Sequence, residues 1–150
     1  MNPIGKKLHT VPEMASMMEQ INFHLCKYWK ILGLDEKYSP YVDVMWGQRY
    51  VEGVGDNHNH TNHLVSGGLY LLVKGEQTIY FDHPGTQLYN PKLLNRFNKE
   101  TLRKKLVLEP GHIVLWPGWM NHEIVAKKPS NWNNDATRIT IPFMANGDLK

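Results

Sequence analysis

From Tyr41 onward the chain breaks into short runs of β-branched and aromatic residues separated by turn residues, while before it a single stretch repeats apolar residues at helical spacing. That stretch carries Met14, Met17, Met18, Ile21, Leu25, Tyr28, Trp29 and Leu32 at three- and four-residue steps. Such spacing lays an apolar stripe along one face and predicts a helix over 12–32. Pro12 suits a first turn, Thr10 is a candidate cap and Gly33 a stop. The expected strands are Tyr41–Tyr50, Leu64–Val73, Thr78–Phe81, Leu106–Leu108, His112–Trp116, Glu123–Ala126 and Ala136–Phe143. Lys74-Gly75-Glu76 and Glu109-Pro110-Gly111 read as hairpin turns. Two polar stretches interrupt the pattern: His83–Thr101, with a possible helical turn near Leu93–Phe97, and Lys127–Asp135. One helix followed by seven or eight strands predicts a mainly β fold, a sandwich or a barrel-like jelly roll.

Composition narrows the classes. At 150 residues, 41% hydrophobic and 21% charged, the chain fits one globular domain spanning 1–150. The net charge of +3 is spread thinly, and the densest basic run, Arg103-Lys104-Lys105, is too short for a nucleic-acid groove. The single cysteine, Cys26, excludes an internal disulfide and is expected to be a buried, inert thiol. Neither a signal-peptide h-region nor a membrane-spanning run is visible, so the expectation is a soluble, cytoplasmic protein.

The chemistry concentrates in Asp56-Asn57-His58-Asn59-His60-Thr61-Asn62-His63 and in the later Pro117-Gly118-Trp119-Met120-Asn121-His122. Residues i and i+2 of a strand point the same way, so His58 and His60 can chelate one ion, with His122 closing from a second strand. Imidazole is the commonest nitrogen ligand of iron, zinc, copper and nickel. Asp56 shares the parity of the pair, His63 opposes it, and Asp82 is a lower-ranked remote carboxylate. The competing view is a polar loop with incidental histidines. His112 and His83 are read as surface or turn residues, and His9 and His24 as solvent-facing or satisfied. Arg138 and Thr140 fall on one face of an apolar strand. A guanidinium there is costly unless paired, either with a protein carboxylate or with an external one held bidentately.

These residues resemble the 2-oxoglutarate/Fe(II)-dependent oxygenases, closest to the small bacterial and phage type. The likeness rests on His58-Asn59-His60, Ser66-Gly67-Gly68-Leu69-Tyr70, Ile79-Tyr80-Phe81-Asp82-His83-Pro84, Pro110–His122 and Arg138-Ile139-Thr140. It implies a double-stranded β-helix, or cupin-like jelly roll, over about 42–146, with the N-terminal helix supporting it from an outer sheet face. It also implies Fe(II) on His58, His60 and His122, for which nickel or zinc can substitute. Further implications are 2-oxoglutarate as co-substrate, its far carboxylate held by Arg138 and Thr140, and O2 as the oxidant. The implied reaction hydroxylates an unidentified substrate with succinate and CO2 as co-products. Tyr70, Trp116 and Trp119 would line or shield the site. One departure stands out: the superfamily's second ligand is usually Asp or Glu, and here it is His60, which leaves the ion one negative charge short.

Two other readings compete. A cupin-like three-histidine dioxygenase or isomerase that ignores 2-oxoglutarate suits His60 better. The usual cupin Glu shortly after His-x-His is absent, however, with Leu64 and Val65 in its place. A non-catalytic jelly-roll module with a structural ion would need a fourth ligand from Asp56 or His63.

Overall fold

The computed structural model describes residues 6–84, 102–133 and 136–150; the expected helical turn near Leu93–Phe97 lies outside them. A 3-10 turn at Pro12–Met14 leads into α1 (Ala15–Ile31). Pro12 sits in that first turn as expected, but Thr10 caps nothing in α1: its hydroxyl donates to the Lys7 carbonyl. Gly33 ends the helix at φ +68°, its N–H donating to the Lys30 carbonyl. No described helix is long and apolar enough to cross a membrane.

Nine strands follow among the described residues. They are β1 (Tyr38–Met45), β2 (Gln48–Tyr50), β3 (Gly53–Val54), β4 (Val65–Val73), β5 (Glu76–Asp82), β6 (Arg103–Val107), β7 (Ile113–Pro117), β8 (His122–Lys127) and β9 (Arg138–Leu149). All strand pairings are antiparallel and form two sheets. The larger runs β1-β9-β4-β7, with β2 continuing the β1 edge along β9; the smaller runs β3-β8-β5-β6. From β3 to β9 the chain passes back and forth between them, which is the double-stranded β-helix, or jelly roll. The expected run Tyr41–Tyr50 is therefore two strands broken at Trp46-Gly47. The last strand reaches Leu149, well past Phe143.

The two expected hairpin turns are turns, but not hairpins. Gly75 (φ +71°) and Gly111 (φ +84°) supply the left-handed backbone that was anticipated. Each, however, carries the chain from one sheet to the other, β4 to β5 and β6 to β7. The run Arg103-Lys104-Lys105 is strand because its charges are matched across the sheet: Arg103 to Asp82 (2.8 Å) and Glu123 (2.9 Å), and Lys105 to Glu76 (2.9 Å).

Alternation divides the larger sheet. Val65, Ile141, Phe143 and Ala145 face outward onto Ile21, Leu25 and Trp29 of α1, with Val42 and Met45 of β1. Burying each such side chain stabilises by roughly 1.5–3 kcal/mol, so α1 is held by its stripe. Cys26 follows Leu25 around the helix and is exposed, contrary to expectation. His24 is exposed as expected, whereas His9 buries its Nδ1 without a partner among the described residues. The inward positions are Ser66, Tyr70, Trp116, Arg138 and Thr140, and they line the space between the sheets.

Candidate metal centre

The chain from Gly55 to His60 runs alongside the start of β8 without forming a full ladder. His58 makes a single antiparallel bridge to His122: its N–H donates to the His122 carbonyl (3.1 Å), and the His122 N–H donates back (2.9 Å). Two residues on, the His60 N–H donates to the Gly118 carbonyl (2.7 Å). The i, i+2 parity read from the sequence is thus kept by backbone bonds at both histidines, although this segment is not a strand as expected.

Gly118 is required where it stands. A Cβ there would lie 2.8 Å from the His60 carbonyl oxygen and collide with that of His63. The turn before β8 and the His60–His63 turn can pack this closely only without a side chain between them.

The three imidazoles converge. Ring centroids are 4.8 Å apart for His58–His60, 4.5 Å for His58–His122 and 5.2 Å for His60–His122. Their candidate ligand atoms all lie within 4.8 Å of one another. That spread exceeds the ~3–3.5 Å expected around a bound ion at ~2.0–2.2 Å, so the rings must close slightly to grip one. His58 Nδ1 contacts the Asp56 carbonyl (2.8 Å) and His122 Nδ1 the Met120 carbonyl (3.2 Å). A carbonyl only accepts, so each Nδ1 carries the proton and each Nε2 keeps its lone pair for a metal. Burial, reinforced by the neighbouring histidines, pushes His60 down to about 4. His122 also falls to about 4, with burial again the largest cause. Both are neutral near pH 7, the form that binds metal.

The other candidate ligands are engaged elsewhere. Asp82 accepts from Arg103 (2.8 Å) and from Asn57 (2.6 Å), and His63 pairs with Asp43 (3.1 Å). Asp56 borders the cavity but does not join the cluster of three. His112 is exposed beside Glu109, as anticipated.

The histidines open into a cavity of about 150 Å³. Arg138, Thr140, Tyr70 and Tyr50 also line it, and Thr140 is the cross-strand neighbour of Tyr70. Arg138 is 1% exposed, and its Nε and Nη1 have no partner among the described residues. Its guanidinium lies 4.5 Å from the centre of the Tyr50 ring. Burial lowers the pKa of this guanidinium and raises that of the Tyr70 phenol, which Arg138 partly offsets. Three more donors on the lining lack partners among the described residues: Ser66 Oγ, Trp116 Nε1 and Trp46 Nε1. Tyr50 and Trp46 carry no signal in the sequence, and Ser66 enters there only as part of the motif that carries the family resemblance. Ser66 had a signal, a hydroxyl inside an apolar strand, but its parity relative to the histidines depends on the register of β4. Trp119 is 52% exposed and does not line the cavity.

A family model described as "Putative 2OG-Fe(II) oxygenase" matches residues 45–144. The chain belongs to this family. Among solved structures it is similar to KdgF from Halomonas sp. at 17% identity and TM-score 0.40, over 73% of this chain and 81% of that one. It is also similar to a cupin domain from Bordetella pertussis Tohama I at 10% identity and TM-score 0.39, over 73% and 93%. No curated protein matches.

The residues present fit the groups that the family name implies. Three imidazoles suit a first-row divalent metal. A buried guanidinium with unpartnered N–H groups suits an external carboxylate. Among the described residues no Asp or Glu completes the triad, so this member presents a three-histidine set.

Proposed function

We propose that the protein is an Fe(II)/2-oxoglutarate-dependent oxygenase acting on an unidentified substrate. His58, His60 and His122 hold the metal through Nε2, and Arg138 with Thr140 holds the far carboxylate of 2-oxoglutarate. The chemistry supplied at the bound iron is oxidative decarboxylation of 2-oxoglutarate by O2, giving succinate and CO2, coupled to hydroxylation of a substrate C–H bond.

The chain's own residues orient and enclose. The Asp56 and Met120 carbonyls fix the tautomers of His58 and His122. Gly118 sets the position of His60. Tyr50 stacks beneath Arg138 and keeps the planar fork from swinging, while Tyr70 and Trp116 exclude water from the space between the metal end and the arginine end.

The observation that carries this reading is Arg138. A cation this deeply buried, without a carboxylate from the described residues, costs free energy in the free protein and is satisfied by an anion that enters the cavity. Anaerobic titration of the Fe(II) protein with 2-oxoglutarate tests it. The expected result is a weak visible charge-transfer band that saturates at one equivalent. No band and no heat of binding would overturn the proposal. One observation favours a second reading: the all-histidine donor set also suits a cupin-like metalloprotein that does not use 2-oxoglutarate. In that case metal binds and the band never appears.

A further inference from the structure

We propose that Ser66 and Trp116 form a hydrogen-bonding subsite that receives the metal-side end of the ligand, opposite the end held by Arg138. The inference rests on the metal-and-oxyacid reading above and adds two positioning residues to it.

Ser66 and Trp116 are direct cross-strand partners, β4 to β7, with both side chains on the inward face. Directly opposed residues of an antiparallel pair hold their Cβ atoms about 4.5–5.5 Å apart, so a ligand seated between the sheets can contact both side chains. Ser66 is 1% exposed and Trp116 6% exposed, and neither Ser66 Oγ nor Trp116 Nε1 has a partner among the described residues. A buried N–H or hydroxyl without a partner is uncommon, and two side by side in one cavity point to an acceptor that arrives with the ligand.

Their height along the sheet says which end of the ligand they meet. The Trp116 ring packs on His122 with centroids 4.9 Å apart, which places this pair at the metal end. Tyr70 and Thr140 form the inward layer four residues along β4, about 13 Å away at ~3.3 Å per residue, next to Arg138. Gly68 lies between the layers. A Cβ there would stand 3.3 Å from the Tyr70 hydroxyl, so glycine leaves the middle of the cavity to the ligand and to that phenol. On its other side the indole borders a second cavity, lined by Phe81, Leu106, Val114 and Met120 and also by Asp82 and Arg103, which pair with each other. The acceptor the geometry asks for is therefore an oxygen of the group that chelates the metal, the α-keto-carboxylate end of an oxyacid.

The test uses the full chain loaded with Co(II) under argon, titrated with oxalate and with 2-oxoglutarate. Oxalate has the chelating end and no far carboxylate. Trp116→Phe and Ser66→Ala should each weaken oxalate and 2-oxoglutarate about tenfold, whereas Arg138→Lys should weaken 2-oxoglutarate alone. The Co(II) spectrum before ligand addition should match wild type in both variants; a purely structural role would change it. Ser66→Ala is nearly isosteric, so it decides the matter if Trp116→Phe folds poorly. Wild-type affinity for oxalate in Ser66→Ala would overturn the proposal. Oxalate binding that depends on the pair, in a wild type that ignores 2-oxoglutarate, would uphold this subsite and overturn the co-substrate. A wild type that binds neither would overturn both.

Discussion

Replacing Arg138 with Met should make the ligand-free protein more stable and leave it blind to 2-oxoglutarate. Arg138 is 1% exposed, with Nε and Nη1 unpartnered. Each buried, unsatisfied donor nitrogen costs ~1–3 kcal/mol, which puts the penalty for the two at ~2–6 kcal/mol. The cation–π contact with Tyr50 at 4.5 Å returns part of this, on the order of 1–2 kcal/mol for a desolvated pair. The guanidinium therefore costs the empty fold ~0–5 kcal/mol, with water in the cavity moving the figure toward the lower end. Met is unbranched and apolar, and fills the vacated space without demanding partners. Urea unfolding of the metal-loaded proteins, with and without 2-oxoglutarate, measures both effects. Wild type should gain about 2.7 kcal/mol at one hundred times its Kd, and Arg138→Met nothing. A variant less stable than wild type without ligand, yet still stabilised normally by 2-oxoglutarate, would refute the reasoning and make Arg138 a structural residue.

Other substitutions separate the parts of the site. Gly118→Ala pushes its new Cβ against the His60 and His63 carbonyls; metal affinity should fall about 10- to 100-fold, as for other supporting residues, read by competition with a chromophoric chelator. Asp82→Asn should leave the bound-metal stoichiometry unchanged, because Asp82 is tied to Arg103 and Asn57, while His60→Ala should abolish it; the reverse pattern by metal analysis would replace the ligand set. Acid should destabilise the metal-free protein. His60 and His122 are held down to about 4 when folded and return toward 6.5 when unfolded, so between those values the unfolded state binds more protons and stability falls as pH falls. The buried His122 alone contributes up to about 1.4 kcal/mol per pH unit across that window, and a flat unfolding midpoint from pH 6.5 to 4 would contradict it.

Local patterns in the sequence carried the fold as far as local physics reaches. The stripe Ile21, Leu25, Trp29 is a 3.6-residue repeat and placed α1, while Cys26, one step around from Leu25, was misjudged because an apolar stretch does not reveal its own exposed edge. The glycines at 75 and 111 announce turns through their backbone freedom, but which sheet receives the next strand is set by distant pairing, so local sequence does not distinguish these turns from hairpins. His58, His60, Arg138 and Thr140 were legible because parity within a single segment orients them. Ser66 and Trp116 are not legible as a pair, since their meeting depends on the register between β4 and β7, and so on a contact fifty residues apart in the chain.

The histidine at position 60 links the metal end of the cavity to the arginine end through charge. On the proposed reading, a divalent ion held by the three imidazoles would keep its full charge, and Arg138 would add another in the same enclosed space, so the cavity would favour a dianion that bridges the two. A carboxylate at position 60 would neutralise part of that attraction while binding the ion more tightly. His60→Asp should therefore retain iron at least as well as wild type and bind 2-oxoglutarate more weakly. Two unit charges about 5 Å apart repel by roughly 3 kcal/mol at an effective dielectric of ~20, which is the upper bound on the loss. Calorimetric titration with 2-oxoglutarate at low and moderate salt reads the change, and the weakening should shrink as salt rises. If His60→Asp instead tightens 2-oxoglutarate, the all-histidine set is not tuned to a dianion, and the cupin-like reading gains the stronger claim on this site.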